Sequence, residues 1–355
     1  MERRRTGERK KVARAPRRAR IEWAKMRRTN GVAAPIGAGT GAGAGTGTGT
    51  GAGASGGARP VPLGAVQSAL ERPESGARGR PFLLDLVGDR LGGATALRVE
   101  LAWERIDQWI FRVTDARGTN GQPALALRVA KAPGPAARLA RSEYQHLRAL
   151  YNVDATLVPL PLAGAVLHVQ RPRAAVLFTY VTLWPEGFSE VGYDAHGGLV
   201  LHEDGKVRPV EGAAGERLRA RLCEILARCY DPARQTAIWP VDPTAGDFVA
   251  RRDGDDFQAR LVSPRGTDRS VPPARLVGLM CDPQWTVGGA RVALAPAETA
   301  LLEEALARGF AKRDGDAERG RERARRYLSA YDALGPGRDR QRSNPVRSSS
   351  STSPR

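Results

Sequence analysis

The chain has 355 residues, 41% of them apolar, and a formal net charge of +18, which is enough length and apolar content for two ordinary domains or one two-lobed domain with a real core. Its three cysteines, Cys223, Cys229 and Cys281, and its four histidines, His146, His168, His196 and His202, have no ligand spacing, so neither a disulfide framework nor a His/Cys metal site is expected. The most apolar run, Ala155 to Gln170, is short and broken by Pro159 and Pro161, which excludes a transmembrane helix, and no apolar stretch follows the charged N-terminus as a secretory signal requires.

The charge is carried by the ends. Residues 1–30 hold thirteen Lys/Arg against three Glu, and residues 309–355 hold twelve against six acids, so the ends supply sixteen of the eighteen charges and the middle is nearly neutral. Such ends are usually solvated extensions and only occasionally a non-specific contact for nucleic acid or acidic surfaces. The Arg and Ala content of the first residues imitates an organelle transit peptide, against which Glu2, Glu8 and Glu22 argue, and a cytoplasmic location is expected. Gly37 to Gly57 alternate Gly with Ala and Thr and cannot bury enough surface to offset their ordering entropy. Residues 1–80 are therefore expected to be disordered and dispensable for folding. A GxGxxG match at Gly51–Gly56 has no strand leading into it and is a product of the repeat.

Ordered sequence begins near Pro81. Phe82–Val87, Leu97–Trp103 and Gln108–Thr114 read as strands, with Gly118–Gln122 as the turn before a further strand, LALRVAK. In that strand Leu125, Leu127, Val129 and Lys131 share one face, and Ala126, Arg128 and Ala130 the other. A helix follows in which Leu139, Glu143, Leu147 and Leu150 form a stripe, placing Glu143 among apolar residues. A buried carboxylate needs a cation, and Lys131, twelve residues earlier, is the expected partner.

The order of strand WIFRVTD, strand ALRVAK, helix SEYQHLRAL, the segment VPLPL and strand AVLFTYV resembles the N-terminal lobe of protein kinases and aminoglycoside-phosphotransferase-like kinases. The resemblance covers about a hundred residues. It implies an α+β, two-lobed kinase-like fold, with an N-lobe over 82–183 and a helical C-lobe over 184–334; composition, with Arg, Ser and Pro and no apolar periodicity, marks 335–355 as a disordered tail. The resemblance further implies ATP and Mg²⁺ as cofactors, Lys131 on the phosphates and paired with Glu143, and a hinge over Phe178–Leu183 whose backbone at Tyr180 and Val181 binds adenine.

Beyond the hinge, Glu186–Arg208 reads as a hairpin insertion around Gly197-Gly198, and Leu218, Leu222, Ile225, Leu226 and Cys229 form a helical stripe that leaves Cys223 to one side. Phe248–Arg252 and Phe257–Val262 read as strands joined at Asp253-Gly254. By resemblance, Gly246-Asp247 opens this segment and Asp247 orients or deprotonates an acceptor hydroxyl. Pro272–Val287 is a short apolar element ending near Asp282-Pro283, and Ala297–Phe310 and Glu318–Leu334 read as helices.

The departures from the family pattern fall on its chemistry. Thr244-Ala245 precede the Gly-Asp pair, Arg252 stands where a metal-binding Asn is expected, and Ser263–Gly266 contains no acid, so that Asp268 is the nearest substitute metal ligand. The connection Trp103–Asp107 replaces a glycine-rich phosphate loop; Gly88, Gly92 and Gly93 lie upstream. Three functions follow as expectations. The first is a catalytically reduced, pseudokinase-like protein acting through nucleotide or protein binding. The second is an active ATP-dependent phosphotransferase on a protein or small-molecule hydroxyl. The third is a nucleic-acid-associated protein working through its basic ends.

Overall fold

The structure is a computed structural model and describes residues 20–24, 59–73, 80–118, 123–170, 172–194, 198–203, 206–238, 247–268, 271–281 and 296–334. These divide into two compact α+β units, the first drawn from 20–24, 59–145 and 160–186, the second from 146–159 and 187–334.

The first unit is built on a six-stranded sheet. In chain order it contains β1 (Arg20–Trp23), α1 (Leu63–Glu71), α2 (Phe82–Val87), a 3₁₀ turn (Gly88–Leu91), β2 (Ala96–Glu104) and β3 (Gln108–Asp115), then β4 (Leu125–Ala130), α3 (Pro135–Val153), β5 (Pro161–Val169) and β6 (Ala175–Leu183). The strands are ordered β1-β2-β3-β4-β6-β5, with β1 parallel to β2 and the other pairs antiparallel. Period-2 alternation gives the sheet two faces. On one, Phe111, Leu127 and Val181 form a core that α1 and α2 complete with Val66, Leu70, Leu83 and Leu84.

Two expectations are corrected in this unit. Phe82–Val87 is a helix rather than a strand, because Phe82, Leu83, Leu84 and Val87 are all buried, a grouping that suits one side of a short helix and not the alternation of a half-buried strand. Arg20–Trp23 and Leu63–Glu71 fall within the stretch expected to lack structure, yet they form β1 and α1. Val66 and Leu70 at i and i+4 give α1 an apolar face, and the sheet needs that cover. The GxGxxG window at 51–56 and the tail 335–355 lie outside the described residues.

The second unit contains β7 (Ser189–Tyr193), β8 (Leu199–Glu203), β9 (Lys206–Pro209), α4 (Gly212–Cys229) and β10 (Ala237–Ile238), then β11 (Phe248–Asp253), β12 (Asp256–Leu261), β13 (Thr267–Asp268), α5 (Pro273–Cys281), α6 (Pro296–Asp314) and α7 (Ala317–Asp332). A sheet of order β12-β11-β7-β8-β9 and a small β10–β13 pair accompany the helices. β7 and β8 form the hairpin expected around Gly197-Gly198, and β9 extends it to a three-stranded meander; Gly197 lies outside the described residues. The β11–β12 hairpin has the expected turn, with Gly254 at φ +61°.

Cys223, expected beside the main stripe of α4, is buried. It packs with Leu276, Met280 and Phe310 from α5 and α6, so α4 has a second apolar side. At Gly309 of α6 an added Cβ would lie 2.6 Å from Ala227 Cβ and 2.7 Å from Glu224 O, so glycine is what allows the α4 backbone this close. That approach brings cations to Glu224, whose side chain is 1% exposed and meets Arg221 and Lys312 at 2.6 Å each, Arg308 at 3.5 Å and Arg228 at 3.9 Å. Burial works to raise the Glu224 pKa, but the Lys312 hydrogen bond and the Arg221 and Lys312 charges outweigh it and hold the carboxyl below its ordinary value.

Replacing Leu70 with Ala should cost about 2–5 kcal/mol in chemical denaturation, and removing residues 1–80 should lower the melting transition; an unchanged transition would mean α1 is not part of the core. Because the folded pKa of Glu224 is depressed, its ion pairs stabilise the chain above the unfolded value near 4.5 and lose that contribution as pH falls through the folded value. Glu224→Gln should therefore be less stable than the parent at pH 7, with the gap closing below about pH 4, as thermal unfolding across a pH series would register.

Candidate functional site

In the first unit, the sheet face opposite α1 and α2 carries Gln108 from β3, Arg128 from β4 and Phe178 and Tyr180 from β6. Glu143 of α3 reaches this face and is buried, 1% exposed. It accepts a hydrogen bond from Arg128 Nη1 at 3.0 Å and another from Gln108 Nε2 at 2.6 Å. The Arg128 guanidinium lies 5.8 Å from the Tyr180 ring centre. Burial pushes the Tyr180 hydroxyl well above its ordinary pKa; Arg128 pulls it down and Glu143 pushes it further up. The hydroxyl lies near the Glu143 carboxylate without completing a hydrogen bond. Tyr144 closes the cluster, its ring 5.6 Å from that of Tyr180. A Cβ at Gly164 of β5 would meet that ring at 2.7 Å, so only a glycine accommodates it.

Glu143 is thus buried and paired with a strand cation, but the cation is Arg128 and not Lys131. Strand alternation explains the correction. Lys131 follows Leu125, Leu127 and Val129 in parity, and those three side chains lie in the core covered by α1 and α2, whereas α3 covers the Arg128 face. Lys131 is tied elsewhere: its Nζ donates to Glu104 Oε1 at 2.8 Å and sits 5.6 Å from the Trp109 ring centre. Its N–H donates to Asp107 O at 2.8 Å, and its carbonyl accepts from Val61 N at 2.7 Å. These bonds fasten the lysine to the β2–β3 turn and to the segment ahead of α1; in the turn, Arg105 N–H donates to Gln108 O at 2.9 Å.

Tyr180 and Val181, expected in a hinge, lie inside β6. Their residues pair with β4 on one side and β5 on the other, which engages the backbone in the sheet and leaves it unsuited to a ligand. The strand ends at Leu183, after which Trp184 N–H donates to Ala124 O at 2.9 Å. Trp184 stacks on Trp103, centres 5.1 Å apart and planes at 9°, and Arg112 both approaches that ring at 5.8 Å and pairs with Glu186 at 3.0 Å.

In the second unit, Asp247 precedes β11 with its side chain fully buried. Its carbonyl accepts from Val262 N at 2.8 Å and its Oδ1 lies 3.5 Å from Arg265 Nη2. Ser263 beside it is also buried. Arg252, where the family pattern has an amide, lies 5.4 Å from the Phe257 ring centre. Asp268 pairs through its backbone with Ala237. Thr244, Ala245 and Gly246 lie outside the described residues. Among the described residues there is no group of three His, Cys, Asp or Glu side chains placed to hold a metal ion, and no helix long and apolar enough to cross a membrane.

A cleft of about 310 Å³, which the sequence did not announce, opens between β8, α4, α5 and the start of α6; Leu199, Val210, Met280 and Leu302 line it, with Glu211, Glu216 and Glu298 among the polar residues. Cys223 also lines it, and burial pushes that thiol up to about 12, so it carries no thiolate at neutral pH.

No protein-family model matches the chain, and no curated protein matches it. Among solved structures it is similar to one described as "WaaP in complex with acyl carrier protein", at a TM-score of 0.32 and 13% identity, covering 66% of this chain and 86% of that one. At that degree of overlap the functional reading rests on the residues.

The two candidate pairs differ in burial and should differ in worth. Arg128→Met, which strips the cation from a buried carboxylate, should cost roughly 3–5 kcal/mol. Lys131→Met faces a half-exposed Glu104 and should cost less than about 1 kcal/mol. Urea unfolding ranks the two, and the reverse order would return the partnership of Glu143 to Lys131.

Proposed function

We propose that the chain is a kinase-like protein with reduced catalytic capacity, acting by binding and not by phosphoryl transfer. Strand order supports the kinase-like part. β2-β3-β4-β6-β5 is an antiparallel sheet with a helix entering between its third and fourth strands in sequence, and a helix carboxylate pairs with a strand cation, although with Arg128 and not with the lysine that the resemblance implies. The long α4 ahead of the β11–β12 hairpin repeats the family's order of elements, and a division of the chain falls between residues 186 and 187, close to the expected lobe boundary, although 146–159 belong to the second unit. The N-lobe would extend back to α1.

The observation that carries the reduced activity is the Asp247–Arg265 pair. In phosphoryl transfer the charge that accumulates near such an aspartate is met by Mg²⁺ held on acids and amides. Here a guanidinium already lies against the carboxylate, and Arg252 stands at the amide position. These residues do not fit a divalent cation. In the first unit the cation facing Glu143 is an arginine, fixed in charge and doubly engaged, and the β2–β3 turn carries Arg105, Ile106 and Asp107 in place of bare glycine backbone. Lys131 stays in the proposal as a nucleotide contact, whereas Glu143 is held by Arg128 and Gln108 and the Tyr180 and Val181 backbone by β4 and β5. The partner would be a protein, and the free thiols of Cys223 and Cys229 suit a reducing compartment such as the cytoplasm.

ATP with and without Mg²⁺ should shift the melting transition equally and by little, and nucleotide turnover should stay at the level of the Asp247→Asn variant. Mg²⁺-dependent turnover that disappears in Asp247→Asn would establish the active phosphotransferase instead.

A further inference from the structure

The β1 strand reaches its sheet from far away in sequence. Seventy-two residues lie between Trp23 and Ala96, and Ala24 is separated from the next described residue, Arg59, by thirty-four others, of which Gly37–Gly57 are only Gly, Ala, Thr and Ser. With that much sequence between β1 and β2, the contacts that β1 itself makes hold it at the edge. It adds in parallel to the outer edge of β2, with Arg20, Ile21, Glu22 and Trp23 opposite Ala96, Leu97, Arg98 and Val99. Backbone bonds run beyond the strand at both ends, from Arg20 N–H to Thr95 O at 3.1 Å and from Ala24 N–H to Val99 O at 3.0 Å.

Its side chains alternate in use. Ile21 and Trp23 pack on the core of the first unit. Trp23 meets the Phe111 ring edge-on, with centres 5.8 Å apart at 71°, and its indole N–H donates to the Glu71 carboxylate of α1. Arg20 and Glu22 point outward and pair with each other at 3.6 Å. Backbone addition to a sheet edge combined with pockets for alternate side chains is how sheets recognise extended peptides. An edge without such a neighbour leaves its N–H and C=O groups open to pairing.

We propose that the β2 edge, with Phe111 and Glu71 as its tryptophan pocket, is a binding site for an extended peptide of aliphatic-x-Trp pattern, and that Arg20–Ala24 is a tethered ligand occupying it. The tether supplies effective concentration, so a segment with only two anchoring side chains stays bound to its own chain, yet gives way to a free peptide of the same pattern in excess. This inference is independent of the kinase-like reading.

The test uses the full chain. A double variant, Ile21→Asp with Trp23→Ala, vacates the edge without shortening the protein, and a fluorescent peptide spanning residues 17–28 is titrated into it and into the parent at physiological salt. Anisotropy should give at least tenfold tighter binding to the variant. The same peptide with Ala for Trp, unchanged in charge, should lose at least tenfold, and Glu71→Ala in the variant should weaken the Trp peptide but not the Ala peptide. Equal binding by parent and variant, equal binding of the two peptides, or no binding to a variant with native circular dichroism would overturn the proposal. Should the variant not fold, hydrogen exchange in the parent decides: the amides that face the β1–β2 pairing, those of Glu22, Ala24, Leu97 and Val99, should exchange much faster than those of β3 and β4. Equal protection would make β1 a permanent part of the core and sink the idea, as would a concentration-dependent dimer lost in Trp23→Ala, which would assign the strand to a second copy.

Discussion

The buried pair of Arg128 and Glu143 fixes how the first unit is put together. A carboxylate that is 1% exposed stays ionised only beside a cation and hydrogen-bond donors, and Glu143 has Arg128 and Gln108 within 3.0 Å. Meeting that requirement selects the sheet face that α3 covers and the register in which it lies there. The other face must then be closed by something else, and α1 and α2 do so with the apolar residues that would otherwise leave Phe111, Leu127 and Val181 open to water. The placement of Lys131 follows as well: on the face opposite α3, it is drawn to Glu104 and the Trp109 ring.

Arginine is the recurring answer to buried negative charge in this chain. Glu143 has Arg128, Asp247 has Arg265, and Glu224 has Arg221 together with Lys312. A guanidinium does not lose its proton at any accessible pH, and its planar fork makes directed bonds to carboxylates. Pairs of this kind hold elements in one arrangement. They are poorly suited to exchange a metal ion or to pass a proton, since the cation already satisfies the carboxylate. That is the physical ground on which the proposal of a binding role rests.

Most of the elements could be read from periodicity alone. The alternation in LALRVAK, the stripe that places Glu143 inside its helix, the α4 stripe and the Asp253-Gly254 turn each depend on neighbours within a few residues, where backbone geometry sets which side chains share a face. The Phe82–Val87 segment resisted such reading because a short continuous apolar run has the same composition in a buried strand and in a short helix. Val66 and Leu70 do not stand out in the sequence, because a single nine-residue helix beside a Gly-rich tract carries too little pattern.

The sequence by itself determined that Lys131 and Arg128 lie on opposite faces of one strand, that Glu143 is buried, and that positive charge collects at the ends. Tertiary structure alone decided which of those faces met the helix, which carboxylate each cation found, that a strand from residues 20–23 would join the sheet, and that Arg265 would lie against Asp247. The first set follows from bond geometry, which acts over a turn of helix or two residues of strand. The second depends on which distant surface covers each face, and that choice is made by burial and charge pairing over the whole unit.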